Sequence, residues 1–185
     1  MPTQTPSPGS RTPDPATATP DTAPTPRLNP ETCSAKQEEQ AAILTGPFLP
    51  SMADLKATEL DAMVRQYVTT MLWASVGDGN HPLDDSHGPD DVAEGTKAGA
   101  REACIGFLRG AVAAGVTLDA LRQLERSHHL DFENLGHDLW LTRNRHGAGF
   151  WDRGLGKLGD TLTEVAHAMG SRDAYVGDDG LVYVQ

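Results

Sequence analysis

The sequence predicts an α+β fold, in which three to four amphipathic helices pack on a small antiparallel sheet built from two β-hairpins. Three observations lead to this prediction. Apolar residues recur at helical spacing over the first half of the domain and again near its end. Two other segments contain short strand-like runs separated by turn residues. The helical segments are clustered early, and nothing in their order suggests the parallel units of strand, helix and strand.

A proline-rich and threonine-rich arm precedes this domain. Nine of the thirteen prolines lie between Met1 and Pro30, and Leu28 is the only large aliphatic residue there after the initiator methionine. Such a segment buries too little apolar surface to offset the entropy of ordering it. We therefore divide the chain into a disordered arm, residues 1–45, and a single α+β domain, residues 46–185.

The composition predicts a cytoplasmic protein. The chain does not open on the basic start and apolar run of a secretory signal. No apolar run approaches the roughly 20 residues that span a bilayer, so no membrane association is expected. Cys33 and Cys104 offer neither a disulfide framework nor a thiolate cluster. Nothing in the sequence predicts a cofactor.

The domain is acidic. Residues 46–185 hold 21 acidic and 12 basic side chains, a net charge of −9. A surface of this kind repels phosphate backbones, which argues against general nucleic-acid binding. It is compatible with a basic protein partner or with mimicry of nucleic acid.

Apolar spacing predicts four helical segments. The first covers about 53–74, with Ser51 as the candidate N-cap. The second ends at Gly115, and Thr117 then caps the third. A last apolar stripe ends at Gly170. Their apolar stripes are expected to face the core.

The loop 75–94 between the first two helices holds six acidic residues and no lysine or arginine. Its start at Asp78 resembles an EF-hand, but Pro82 stands where a third ligand is required, so the calcium motif fails. Histidine and aspartate side chains here are of a type that transition metals bind, yet loops of this composition are mostly solvated turns. We therefore predict no metal site. The side chains concerned are His81, Asp84, Asp85 and His87.

The segment GHDLWLTRNRHGAGFWDRGLG, residues 136–156, is the most informative part of the chain. It holds two of the three tryptophans among closely spaced His, Asp, Arg and Asn side chains. Its centre predicts a β-hairpin with strands at 139–142 and 148–151, joined through Asn144 and Gly147.

A second hairpin is predicted at the end of the chain. Its strands cover 174–176 and 181–184. Asp179 and Gly180 form a familiar turn pair between them.

The first predicted hairpin carries the candidate functional residues. Its pairing places a histidine opposite an aspartate, and these groups can shuttle protons. Arginine and asparagine can hold an anionic substrate, and tryptophans can anchor a partner. The candidate catalytic residues are His137, Asp138, His146 and Asp152, of which His137 is the one placed opposite Asp152. The candidate binding residues are Trp140, Arg143, Asn144, Trp151 and Arg153.

Together with PLDDSHGPDDV at 82–92 and YVGDDGLVY at 175–183, this segment resembles a family of small uncharacterised proteins widespread in bacteriophages, prophages and plasmids. The resemblance covers most of residues 60–185. It implies an origin in a mobile element, and the host cytoplasm as the location if a phage encodes the chain, but no particular reaction. In the family pattern the turn reads Asn-Gly-His-Gly, whereas here Arg145 follows Asn144, which favours a longer loop.

Three functions are compatible with these features. The favoured one is an accessory protein of a phage or mobile element that binds a host protein through an acidic, Trp-containing surface. The second is a small enzyme or metal-dependent site around residues 136–154, although no nucleophile elbow, HExxH, P-loop or CxxC spacing accompanies it. The third is an acidic nucleic-acid mimic that inhibits a nuclease or a regulator.

Overall fold

The computed structural model describes residues 52–185. Over these residues the chain forms five α-helices and one two-stranded antiparallel sheet, which confirms the α+β class. The helices exceed the three to four that were predicted, and one hairpin is present instead of two. The predicted arm, its boundary with the domain and the candidate cap Ser51 lie outside the described residues. The elements are α1 (Ala57–Ala74), α2 (Glu94–Ala113), α3 (Leu118–His128), α4 (Phe132–Arg143), α5 (Lys157–Ala168), β1 (Ala174–Val176) and β2 (Val182–Val184).

Helix α4 is enclosed by the other elements. Nine of its twelve residues are buried, and it packs along α1 and against α5. Just beyond its end, Phe150 stacks on Phe107 of α2 with ring centroids 5.3 Å apart, which extends the core towards α2. A helix enclosed in this way lacks the single apolar stripe that marks a surface helix.

The prediction of a β-hairpin within residues 136–156 is wrong. This segment forms most of α4, a loop and a 3₁₀ turn at Phe150–Asp152. Residues 139–142, predicted as the first strand, lie in α4, and residues 148–151, predicted as the second, lie in the loop and the 3₁₀ turn. His137 is therefore not paired with Asp152 across a sheet.

Two local signals for α4 were present in the sequence. Asp131 caps the helix, since its Oδ1 accepts a hydrogen bond from the backbone N–H of Asn134 at 2.8 Å. Phe132, Leu135 and Leu139 follow the cap at helical spacing, and all three are buried.

The predicted helix ends are mostly confirmed. The Thr117 hydroxyl accepts from the backbone N–H of Ala120 at 3.1 Å and caps α3. Gly115 and Gly170 follow the ends of α2 and α5 with φ values of +91° and +73°, the left-handed conformation that glycine adopts without steric cost. The first helix begins later than predicted, at Ala57.

The predicted C-terminal hairpin is confirmed. Strand β1 pairs with β2 antiparallel, with Tyr175 opposite Tyr183. On its other side β2 bridges to Val92, and the Val182 carbonyl accepts from the N–H of Ala93 at 3.0 Å. Strand β2 is therefore the inner strand, and β1 is the outer one.

The loop between α1 and α2 contains three short 3₁₀ turns and is held by two apolar anchors, Leu83 and Val92, each of which is 2% exposed. Among the described residues no single helix is long and apolar enough to cross a membrane. The one pair that reaches that length and apolarity together, α2 with α3, is bent by 100°.

Candidate functional site

The residues predicted as functional surround the C-terminal half of α4. Gly136 brings this part of the helix against α1, because a Cβ at this position would lie 2.9 Å from the carbonyl carbon of Met63. The close approach places the side chains that follow Gly136 between neighbouring elements.

Asp138 is fully buried and forms an ion pair with Arg153. The Arg153 Nε and Nη2 atoms donate to the two carboxylate oxygens at 2.8 and 2.6 Å. Such a two-point contact satisfies a buried carboxylate, and the same hydrogen bond raises the pKa of Arg153. This pair ties α4 to the segment after the 3₁₀ turn, so both residues have a clear structural role.

His137 lies between α4 and α1. The Thr70 hydroxyl donates to the Gln66 carbonyl at 2.8 Å, so its oxygen is left to accept from His137 Nδ1 at 3.1 Å. The imidazole stacks on Trp73 with centroids 5.7 Å apart. Burial lowers the pKa of His137, which favours the neutral ring at neutral pH.

Arg143 is 4% exposed and closes the end of α5. Its Nε and Nη2 donate to the carbonyls of Gly170 and Met169 at 2.9 and 3.2 Å, and its Nη1 donates to the Tyr67 hydroxyl at 2.7 Å. Carbonyls at a helix C-terminus carry partial negative charge, so a guanidinium stabilises them.

The neighbouring Asn144 also holds the chain after α5. Its amide donates to the Trp140 carbonyl at 3.1 Å and its Oδ1 accepts from the backbone N–H of Arg172 at 2.7 Å. Arg143 and Asn144 together therefore position the segment that leads into β1.

The two tryptophans of the segment have different environments. Trp140 is 1% exposed and meets Tyr67 edge to face, with centroids 5.2 Å apart. Trp151 is 40% exposed and lies near His167. Only Trp151 is therefore available to a partner, and a third tryptophan, Trp73, is exposed to a similar extent at 41%.

The four candidate catalytic residues do not share one cleft. His137 and Asp138 are engaged as described, whereas His146 and Asp152 are exposed. None of the four lines the two cavities described below. Within residues 52–185, no group of three or more His, Cys, Asp or Glu side chains is arranged to hold a metal ion.

A groove that the sequence did not reveal runs between β1 and the loop after α1. It has a volume of about 410 Å³. Three of the exposed large apolar side chains line it, namely Val76, Tyr175 and Val176. Apolar side chains just after a helix and in a strand are usually buried, so the sequence predicted burial where the structure shows exposure.

The outer edge of β1 borders this groove. Asp173 and Gln185 exchange backbone hydrogen bonds at 3.3 and 3.0 Å, and the Gly177 N–H donates to the Leu181 carbonyl at 2.8 Å. Alternation along an antiparallel pair then turns the backbone groups of Ala174 and Val176 away from β2. In the described part of the chain neither residue's outward groups meet another backbone group.

Comparison with known proteins adds no relative. No model of a protein family, no curated protein and no solved structure matches the chain.

Proposed function

We propose that the chain is a binding protein of a phage or another mobile element, and that it takes up an extended segment of a host protein beside strand β1. The observation that carries the proposal is the outer edge of β1, which has no backbone partner among residues 52–185 and runs along a groove with three exposed apolar side chains in its mixed lining. An extended segment can add to such an edge through main-chain hydrogen bonds, while its alternate side chains enter the groove. The resemblance to proteins of mobile elements supports a partner from the host.

The groove offers both main-chain hydrogen bonds and side-chain contacts to an added strand. A new strand would lie about 4.8 Å from β1 and bond to the outward groups of Ala174 and Val176. Exposed Val76 and Tyr175 would cover its apolar side chains. Aromatic side chains of this kind often contribute much of the affinity at an interface.

Negative charge near the groove indicates which type of partner segment would bind there. Asp84 and Asp85 are exposed on the loop that forms one wall, next to the buried Leu83. The domain as a whole carries a net charge of −9. A segment with apolar residues flanked by lysine or arginine fits this surface, because opposite charge steers association and disfavours other partners.

Affinity capture from a bacterial lysate tests the proposal, with the full chain as bait. Val176→Pro removes the outward N–H of β1, a change that an outer strand tolerates. The matched control is Trp151→Ala, which removes an exposed aromatic side chain that does not line the groove. Melting curves of all three proteins establish that each is folded.

We expect one protein to be captured by the wild type and by the Trp151 variant, and to be lost with Val176→Pro. A synthetic peptide from the captured protein should compete for binding. Loss with Trp151→Ala and retention with Val176→Pro would place the contact on another surface. Absence of any specific capture by the wild type would contradict the proposal itself.

A further inference from the structure

A cavity of about 590 Å³ lies on the side of the domain where α2 approaches α1, the end of α5 and strand β2. Its volume is within the range of about 300–1,000 Å³ that is typical of small-molecule sites. It shares no lining residue with the groove beside β1. Its polar lining residues include Arg143 and Arg172.

Arg143 is a buried cation without a carboxylate partner among residues 52–185. Its three hydrogen bonds all go to neutral acceptors, two carbonyls and the Tyr67 hydroxyl. A guanidinium carries five N–H donors, so one donor remains on each Nη atom. Charged side chains buried to this degree are normally paired.

Asp138 gives the contrast within the same helix. This carboxylate is fully buried and is matched at both oxygens by Arg153. The fold thus neutralises one buried charge of α4 internally and leaves the other, Arg143, at the wall of a cavity.

Tyr67 supplies a further donor at the same place. Its oxygen accepts from Arg143, which leaves the phenol hydrogen free to donate. Burial raises the pKa of Tyr67 to about 12, so the phenol stays protonated at neutral pH.

Small residues of α2 keep the cavity open. Gly99, Ala103 and Gly106 line it at helical spacing, and a Cβ placed on Gly99 would meet no atom within 4 Å. Apolar side chains, Met71 and Val184 among them, complete the wall. The cavity therefore combines an apolar lining with the guanidinium groups of Arg143 and Arg172.

We propose that this cavity binds a small molecule with one oxyanion group, a carboxylate or a phosphate, on an apolar body. The oxyanion accepts hydrogen bonds from the free Nη donors of Arg143 and from the Tyr67 hydroxyl, and Arg172 adds a second positive charge. Glu102, which also lines the cavity, disfavours ligands with several negative charges. Planar guanidinium donors suit carboxylate and phosphate oxygens in particular.

Calorimetric titration of the full chain tests the site with four probes of similar size. Benzoate and phenyl phosphate carry the two oxyanions, and benzyl alcohol and benzylammonium are the neutral and cationic counterparts. Gly99→Leu fills the cavity, whereas Gly95→Leu adds the same side chain to the same helix outside it, at a position with no atom within 4 Å. Arg172→Gln removes one charge without touching the buried Arg143.

We expect saturable binding of at least one of the two anions by the wild type and by Gly95→Leu. Binding should weaken by about 10-fold or more in Gly99→Leu and in Arg172→Gln. The preferred anion identifies the source as a carboxylate or a phosphate. The proposal is overturned if the wild type binds neither anion, if benzyl alcohol binds as tightly, or if Gly99→Leu binds like the wild type.

Discussion

Two helical glycines, Gly136 of α4 and Gly99 of α2, lie in opposite environments. At Gly136 the backbone of α1 occupies the space that a side chain would need, and a Cβ would come within 2.9 Å of the Met63 carbonyl carbon. At Gly99 there is no atom within 4 Å of such a Cβ, and the residue lines a cavity. Gly136 permits close contact between α4 and α1, whereas Gly99 leaves part of the cavity unfilled.

The contrast separates a tightly packed side of the domain from an open one. On the packed side, α1 and α4 interlock through Tyr67, Trp140 and the pair of Thr70 with His137. On the open side, α2 presents glycine and alanine to Arg143. The structural role of a helical glycine therefore depends on which element lies next to it.

The largest effect is expected on the packed side, at Trp140. Trp140→Ala should lower the free energy of unfolding by about 3–5 kcal/mol, because it leaves a cavity where the ring meets Tyr67. Chemical denaturation measures the change. Trp151→Ala, at a side chain that is 40% exposed, should cost about 1 kcal/mol or less. Equal losses in the two variants would contradict the assigned packing.

The glycine contrast itself can be tested with one substitution on each side. Gly136→Ala should lower the free energy of unfolding by about 3 kcal/mol, since the backbone of α1 must move away. Gly99→Ala should raise it by about 0.5–1 kcal/mol, because alanine favours a helix and meets no atom there. Changes of the same sign would show that the two sides do not differ as described.

A smaller, stabilising effect is expected where α4 ends. Arg145 has φ +58°, and the N–H groups of Arg145 and His146 bond to the carbonyls of Thr142 and Leu141 at 3.1 and 3.0 Å. These bonds form the helix ending that glycine usually occupies. Arg145→Gly should therefore raise the free energy of unfolding by about 1 kcal/mol.

Arg145→Ala is the matched control for that change. It removes the same charge and keeps a Cβ in the left-handed conformation, so it should give no gain. A similar stabilisation in both variants would attribute the effect to charge instead of backbone conformation.

The smallest effect is expected in the pH dependence of the free energy of unfolding, through His137 on the packed side. Burial lowers the pKa of His137 below the value of 6.5 expected for the unfolded chain. Its contribution to stability is therefore fully present above about pH 6.5 and is lost as the pH falls through the lower folded-state pKa. Melting curves at about pH 7 and pH 5 should show a smaller decrease for His137→Gln than for the wild type. An equal decrease would remove His137 as a source of the pH dependence.

The short-range features of the fold could be predicted because neighbouring residues determine them. Thr117 caps α3 with its own hydroxyl, and Gly115 and Gly170 adopt the positive φ that ends a helix. The turn around Asp179 and Gly180 joins the two strands as expected. In each case the energy comes from contacts within a few residues.

The error at residues 136–156 has a long-range cause. A helix buried on several sides shows no single stripe, so its pattern of apolar residues resembles that of short strands. Most of the candidate residues drawn from the segment hold the fold together. Asp138 pairs with Arg153, and Arg143 closes α5.

By itself the sequence determined the α+β class, the helix boundaries at Gly115, Thr117 and Gly170, and the terminal hairpin. Only the tertiary structure decided that α4 lies at the centre of the core, that the outer edge of β1 has no backbone partner among residues 52–185, and that Arg143 reaches a cavity. These features depend on residues far apart in the chain. Burial and charge compensation arise when distant elements meet, and a local pattern does not encode which elements those are.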